Sequence, residues 1–70
     1  MFIYNVTFVH SYWNMSTTIH SEIEDPVYDS EDWVHLVKAA SEIIYSTCSF
    51  SPIEYADVDI EVEYVGEEAV

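Results

Sequence analysis

One segment of this 70-residue chain has a sustained helical period, and it limits what the rest of the chain can fold into. Apolar side chains recur at steps of three and four residues within residues 30–48, which predicts a helix with one apolar face. Ser30 is a favourable N-cap, and Pro52 lies just beyond the other end. A lone amphipathic helix must bury its apolar face against another layer. The residues on that face are Trp33, Leu36, Val37, Ala40, Ile43, Ile44 and Thr47.

The rest of the sequence alternates between apolar and polar residues, a pattern typical of strands. Pro26 ends the second strand, because proline cannot donate a hydrogen bond within a central ladder. Residues 67–70 are predicted to be a frayed tail. The predicted strands cover residues 2–13, 15–24 and 55–65.

The loop between the first two strands has two candidate lengths. A two-residue loop at Trp13-Asn14 would pair Phe8 with Ile19, and a four-residue loop would shift the pairs by two residues. Either register places apolar side chains beside one another, as a half-buried hairpin requires.

The order strand, strand, helix, strand predicts a single α+β domain. A helix that returns along the sheet brings the third strand antiparallel to the first. We therefore predict a three-stranded antiparallel sheet with strand one in the middle and the helix packed on one face. Ile43 and Ile60 are expected in the core, where replacement of either by Ala costs about 2–5 kcal/mol.

The net charge indicates which partners to expect. Fourteen acids against one lysine give a formal charge of −13. Such a chain repels nucleic acid and anionic membranes, and it suits a partner with a basic surface. Acidic disordered chains lack aromatic residues, whereas this chain has two Trp, six Tyr and three Phe. All fourteen acids lie beyond residue 21.

The third strand contains the strongest functional pattern, a row of acids at every second residue. Such side chains share one strand face and stand about 6.6–6.8 Å apart, a step that resembles the one between successive phosphates of a nucleic-acid strand. The alternative is a solvated face whose charges block edge-to-edge aggregation. Glu22 and Glu24 are expected on the same outer face, along the opposite flank. The row is Asp57, Asp59, Glu61 and Glu63.

Other kinds of site find little support. His10, His20 and His35 do not converge in the predicted fold, so we expect no metal site. Cys48 is the single cysteine, which excludes an internal disulfide, and we expect it to be buried. A row of exposed carboxylates lacks the concave pocket that acid–base catalysis needs, so we expect neither an enzyme nor a cofactor. The absence of a leader or a long apolar run predicts a cytosolic protein.

Trp13 is the candidate for a different mode of binding. Tryptophan is enriched at interface hot spots, and this one is predicted at the tip of the hairpin. An aromatic anchor of this kind would bind one host enzyme, and such binding would depend little on salt. The other role that we predict for Trp13 is packing across the turn.

The hairpin MFIYNVTFVHSYWNMSTTIHSEIE, the capped helix and the acidic last strand together resemble small phage proteins that disable host machinery. In element order and length the chain is similar to the small RNA polymerase inhibitor of T7-like phages. In charge it is similar to acidic DNA-mimic inhibitors, including several anti-CRISPR proteins. The likeness is one of overall pattern, and it assigns no functional residue.

We therefore expect a non-enzymatic inhibitor that presents carboxylates to a basic, nucleic-acid-binding surface of a host protein and binds no nucleic acid itself. The alternatives are an enzyme-binding inhibitor or antitoxin that uses the Trp13 anchor, and an interaction domain whose acidity serves solubility. A homodimer is compatible with each of these.

Overall fold

The computed structural model describes residues 1–68 of the chain. It contains three strands, one long helix and one turn of 3-10 helix. The strands form one antiparallel sheet in the order β2-β1-β3, and the helix packs on one face, as the sequence predicts. The elements are β1 (Phe2–Val9), β2 (Asn14–Ser21), α1 (Glu31–Cys48), the 3-10 turn (Pro52–Glu54) and β3 (Asp59–Glu67).

The core lies between α1 and the inner face of the sheet. Every second residue of β1 points into it, as period-two strand geometry dictates. α1 packs mainly against β2. Of the described residues, none from β3 is fully buried, although Ile60 and Val62 pack partly against the core. The fully buried apolar residues are Tyr4, Val6, Phe8, Ile19, Leu36, Val37, Ala40 and Ile44.

The predicted first strand is too long, and the expected hairpin registers are wrong. The loop has four residues, 10–13, which is the longer of the two candidate lengths, and a hydrogen bond of 2.8 Å from the His10 amide to the Trp13 carbonyl closes it. Phe8 pairs with Met15, which is four residues before Ile19. The two-residue loop would have paired Phe8 with Ile19, and the four-residue loop was expected to shift the pairs by only two residues. The displacement is even, so the apolar faces still meet.

The helix begins and ends as its sequence predicts. The Ser30 hydroxyl accepts a hydrogen bond of 3.2 Å from the Trp33 amide, and Ser49 ends the helix in the left-handed conformation with a φ of 56°. The expected burial is wrong at three positions, one of which is Thr47, exposed near the end of the helix. Ile43 is 44% exposed, because the buried stripe runs through Ser41 and Ile44 instead. Cys48, the last residue of α1, is also exposed.

The second and third predicted strands are also displaced. β2 ends at Ser21, whose hydroxyl accepts from the Ile23 amide at 3.1 Å and turns the chain out of the ladder. β3 begins at Asp59, because the 3-10 turn and the turn after it occupy the preceding residues. The predicted frayed tail is wrong at Glu67, which lies in β3, and at Glu68, whose amide donates to the Met1 carbonyl. The rest of that tail, residues 69–70, lies outside the described residues.

Candidate functional site

Three members of the predicted acid row lie on the outer face of β3. Asp59, Glu61 and Glu63 are all exposed, and α1 packs on the opposite face of the sheet. They alternate with Ile60 and Val62, which point toward the core. The ladder with β1 fixes their positions along the sheet. Asp59, Glu61 and Glu63 pair with Val9, Thr7 and Asn5, respectively.

On the outer face, neither β1 nor β2 contributes an acid alongside this row. β1 contributes the partners just named, and β2 contributes short polar side chains. The Thr18 hydroxyl donates to the Asn5 side-chain oxygen at 2.9 Å, which ties these two columns together. The acids therefore form a single column along one edge of the sheet. The outer residues of β2 are Asn14, Ser16, Thr18 and His20.

Three other predicted site residues lie away from this column. Asp57 is exposed in the turn before β3, so it is not part of the strand row. Glu22 and Glu24 follow the end of β2, and the outer face on which we expected them does not extend that far. Glu24 instead borders a groove on the helix side of the sheet.

A β-bulge adds an acid that sequence reasoning missed. The register shifts between Ile3 and Tyr4, so β3 contains one extra residue, Val65, and the alternation of faces reverses after it. Glu68 then reaches the outer face, where its carboxylate lies 3.3 Å from the His20 ring. The single glycine, Gly66, was the available signal, since a glycine within a strand often marks a bulge.

The carboxylates are exposed to solvent, and few positive charges lie close to them. All fourteen acids are exposed. The ion pairs within residues 1–68 are His20 with Glu68 and His35 with Glu31 at 4.0 Å, and both need a protonated histidine. Asp59, Glu61 and Glu63 take no part in either pair. Their negative charge is therefore available to a partner.

Trp13 lies in an aromatic cluster instead of projecting from the hairpin tip. Its ring stacks on the His10 ring, with 5.0 Å between the ring centroids, and meets the Phe50 ring edge-on, with a centroid distance of 4.9 Å. Tyr55 packs against both Trp13 and Phe50, at 5.5 and 5.3 Å. Trp13 thus joins the hairpin to the segment after α1. Neighbouring Tyr12 is 90% exposed and is the residue that projects at this tip.

Residues 1–68 contain no group of three or more histidine, cysteine or acidic side chains placed to hold a metal ion. No helix among these residues has the length and apolar character needed to cross a membrane.

The chain matches no protein-family model, no curated protein and no solved structure.

Proposed function

We propose that this chain is a small acidic inhibitor, encoded by a phage, that acts without catalysis on a host protein of the defence or transcription machinery. In this proposal it binds the basic surface with which the host protein normally holds nucleic acid. The site of action is the host cytosol. The row Asp59, Glu61 and Glu63 takes the place of a run of phosphates.

The observation that carries this proposal is the geometry of the row. The three carboxylates are exposed, share one strand face and have no lysine or arginine partner. The backbone positions that bear them stand about 6.6–6.8 Å apart along the strand, because every second residue of a strand lies on the same face. A rigid ladder that holds like charges in line costs stability, and a binding role for the row explains why the chain keeps them there.

The mechanism is competition for cationic side chains. Arginine and lysine bind carboxylates through charge-assisted hydrogen bonds of the kind they form with phosphates. A host protein occupied by the row cannot hold its nucleic acid. The net charge of −13 adds long-range attraction and speeds association with a basic surface. Both effects weaken as salt screens the charges.

The alternatives make different predictions. Packing of Trp13 on His10 and Phe50 supports a structural role for this ring, which weighs against its use as an anchor. If the acidity serves only solubility, replacing one group of acids should affect partner binding no more than replacing another group. The hairpin-tip alternative now rests on Tyr12, which is exposed.

The test is capture of the partner from host lysate on immobilised protein. The proposal expects a basic nucleic-acid-binding protein to be retained at low salt, released between low and moderate salt, and displaced by added nucleic acid. Retention through high salt, with loss in Tyr12→Ala, would instead indicate an aromatic anchor.

The row itself is tested by Asp59→Asn combined with Glu63→Gln, which removes two charges from the outer face. Glu61 is left unchanged because it also borders the groove on the other side of β3. Normal capture by this variant, with no displacement by nucleic acid, would exclude mimicry by the row.

A further inference from the structure

A groove lies on the helix side of the sheet, between β3 and the segment that leads into α1. It is open because α1 packs mainly against β2 and leaves the inner face of β3 half covered. Ile60 and Val62 form its floor, and Tyr64 beside them is 57% exposed. Its volume is about 720 Å³. Sites for small ligands span roughly 300–1,000 Å³, so the groove can hold a long side chain and its backbone.

Aromatic rings line the groove on both sides. On the sheet, Tyr64 meets Tyr4 edge-on at 5.7 Å and Phe2 at 6.4 Å. On the other side, Tyr28 packs against Trp33 at 4.8 Å. Tyr28 is nevertheless 75% exposed, so much of its surface is free to contact a ligand.

Backbone hydrogen bonds fix the loop that holds the second pair of rings. The Ser30 amide donates to the Val27 carbonyl at 2.9 Å, and Tyr28 lies inside that turn. The Ser30 side chain then caps the helix at the Trp33 amide. The two rings are thus placed by the start of α1, a rigid element.

The groove has carboxylates at its border. Glu24, Asp25 and Glu61 all line it, and all are exposed. The backbone of Asp25 is held beside the groove because its amide donates to the Tyr4 hydroxyl at 3.2 Å. No lysine or arginine is among the lining residues. Rings and carboxylates in one concave site make it complementary to a cation with an apolar stem.

We propose that this groove receives an arginine side chain of a basic partner protein. A guanidinium stacks on aromatic faces and pairs with a carboxylate through two parallel hydrogen bonds. Its three-carbon stem packs on apolar surface such as Ile60 and Val62. Lysine has the same charge, but its ammonium is more strongly hydrated and cannot stack or bind in this planar way.

This inference deepens the proposed function, on which it rests for the basic character of the partner. β3 then presents two faces to one partner. Its outer face carries the acid row, and its inner face borders the groove. The acid row pairs with several cations by charge alone, whereas the groove selects one residue type by shape.

The test uses three capped peptides, Ala-Ala-Arg-Ala-Ala and its variants with lysine or with neutral citrulline in the middle. Binding is followed by NMR at the indole N–H signals. Trp33 lines the groove, and Trp13, in the aromatic cluster, reports non-specific binding. The arginine peptide should shift the Trp33 signal saturably, leave Trp13 unmoved, and bind several-fold more tightly than either variant.

Tyr28→Leu is the informative substitution, because it keeps an apolar side chain, removes a ring face and alters an exposed residue. It should weaken the arginine peptide roughly two- to fivefold. The matched control, Asp59→Asn with Glu63→Gln, changes acids outside the groove and should preserve the preference for arginine over lysine.

Three results would each overturn the proposal that the groove receives arginine. They are equal binding of the arginine and lysine peptides, equal shifts of the Trp33 and Trp13 signals, and an unchanged affinity of the arginine peptide for Tyr28→Leu. Tighter binding of the citrulline peptide would indicate a neutral ligand instead. None of these results changes what the capture experiment says about the acid row. Arginine binding in the groove and nucleic-acid mimicry by the row can therefore be disproved separately.

Discussion

The two strands that flank β1 have the same backbone role but present different surfaces. β2 and β3 each pair antiparallel with β1 along its whole length. On the inner face, Ile19 of β2 is 6% exposed beneath α1, whereas Tyr64 of β3 is 57% exposed. On the outer face, β2 carries short polar side chains, and β3 carries its column of acids.

This difference separates folding from binding within one sheet. β2 is covered by the helix and contributes a fully buried residue to the core. β3 contributes partly buried residues and leaves both its faces accessible. Its acids also protect an exposed edge against pairing with other strands, which is the role expected of edge charges. Substitutions on the two flanks should therefore differ in their effects on stability.

The largest effect is expected from truncation of one inward-facing isoleucine on each flank, Ile19 opposite Tyr4 and Ile60 opposite Phe8. Ile19→Ala should lower the free energy of unfolding by about 2–5 kcal/mol, because it opens a cavity in the core. Ile60→Ala removes a half-buried side chain and should cost about 1–2 kcal/mol. Ile43→Ala should cost less than either, since that residue is exposed. Urea melts of the three variants give the comparison, and equal losses for Ile19 and Ile60 would show that β3 is as deeply packed as β2.

A smaller effect is expected from removal of one hydroxyl. The Tyr4 hydroxyl donates to the Ile23 carbonyl at 2.6 Å and accepts from the Asp25 amide at 3.2 Å, which ties the end of β2 to β1. Tyr4→Phe should cost about 1–3 kcal/mol, because it leaves these partners unsatisfied. Tyr64→Phe on the β3 side is the matched control and should lie within about 0.5 kcal/mol of the parent. A loss in the control as large as that in Tyr4→Phe would contradict this difference between the flanks.

The smallest effect concerns repulsion along the acid column. Asp59→Asn with Glu63→Gln should raise the free energy of unfolding by roughly 0.2–1 kcal/mol at low salt. The gain should shrink as salt rises, because salt screens the charges of the parent. A loss of stability that is independent of salt would mean that these side chains make favourable contacts in the folded chain.

The sequence was sufficient for the architecture, because each strand and the helix has its own period. Even the wrong hairpin register kept Phe8 and Ile19 on the inner face, since an even displacement preserves faces. The four-residue loop was one of the two candidate lengths, but its position along the chain was not predicted, and Trp13 within it contacts residues after the helix. Such contacts between distant segments leave no local pattern.

The candidate site was predictable only in part for the same reason. Period two placed Asp59, Glu61 and Glu63 on one face, but the start of β3 depends on a turn that excludes Asp57 from the row. Glu68 joins the outer face through a bulge, which is a property of strand pairing. The groove arises from where the helix lies across the sheet, and no helical period gives that position.

The central claim is that the placement of the acids on β3, and not their number, produces binding. It is tested by measuring the affinity of the captured partner for two variants, each of which loses two negative charges at a different place on the surface. One is Asp59→Asn with Glu63→Gln on β3, and the other is Asp32→Asn with Glu42→Gln on exposed positions of α1. The account predicts a loss of about tenfold or more in the β3 variant, as charge-assisted hydrogen bonds require, and less than about twofold in the α1 variant. Equal losses in the two variants would contradict it.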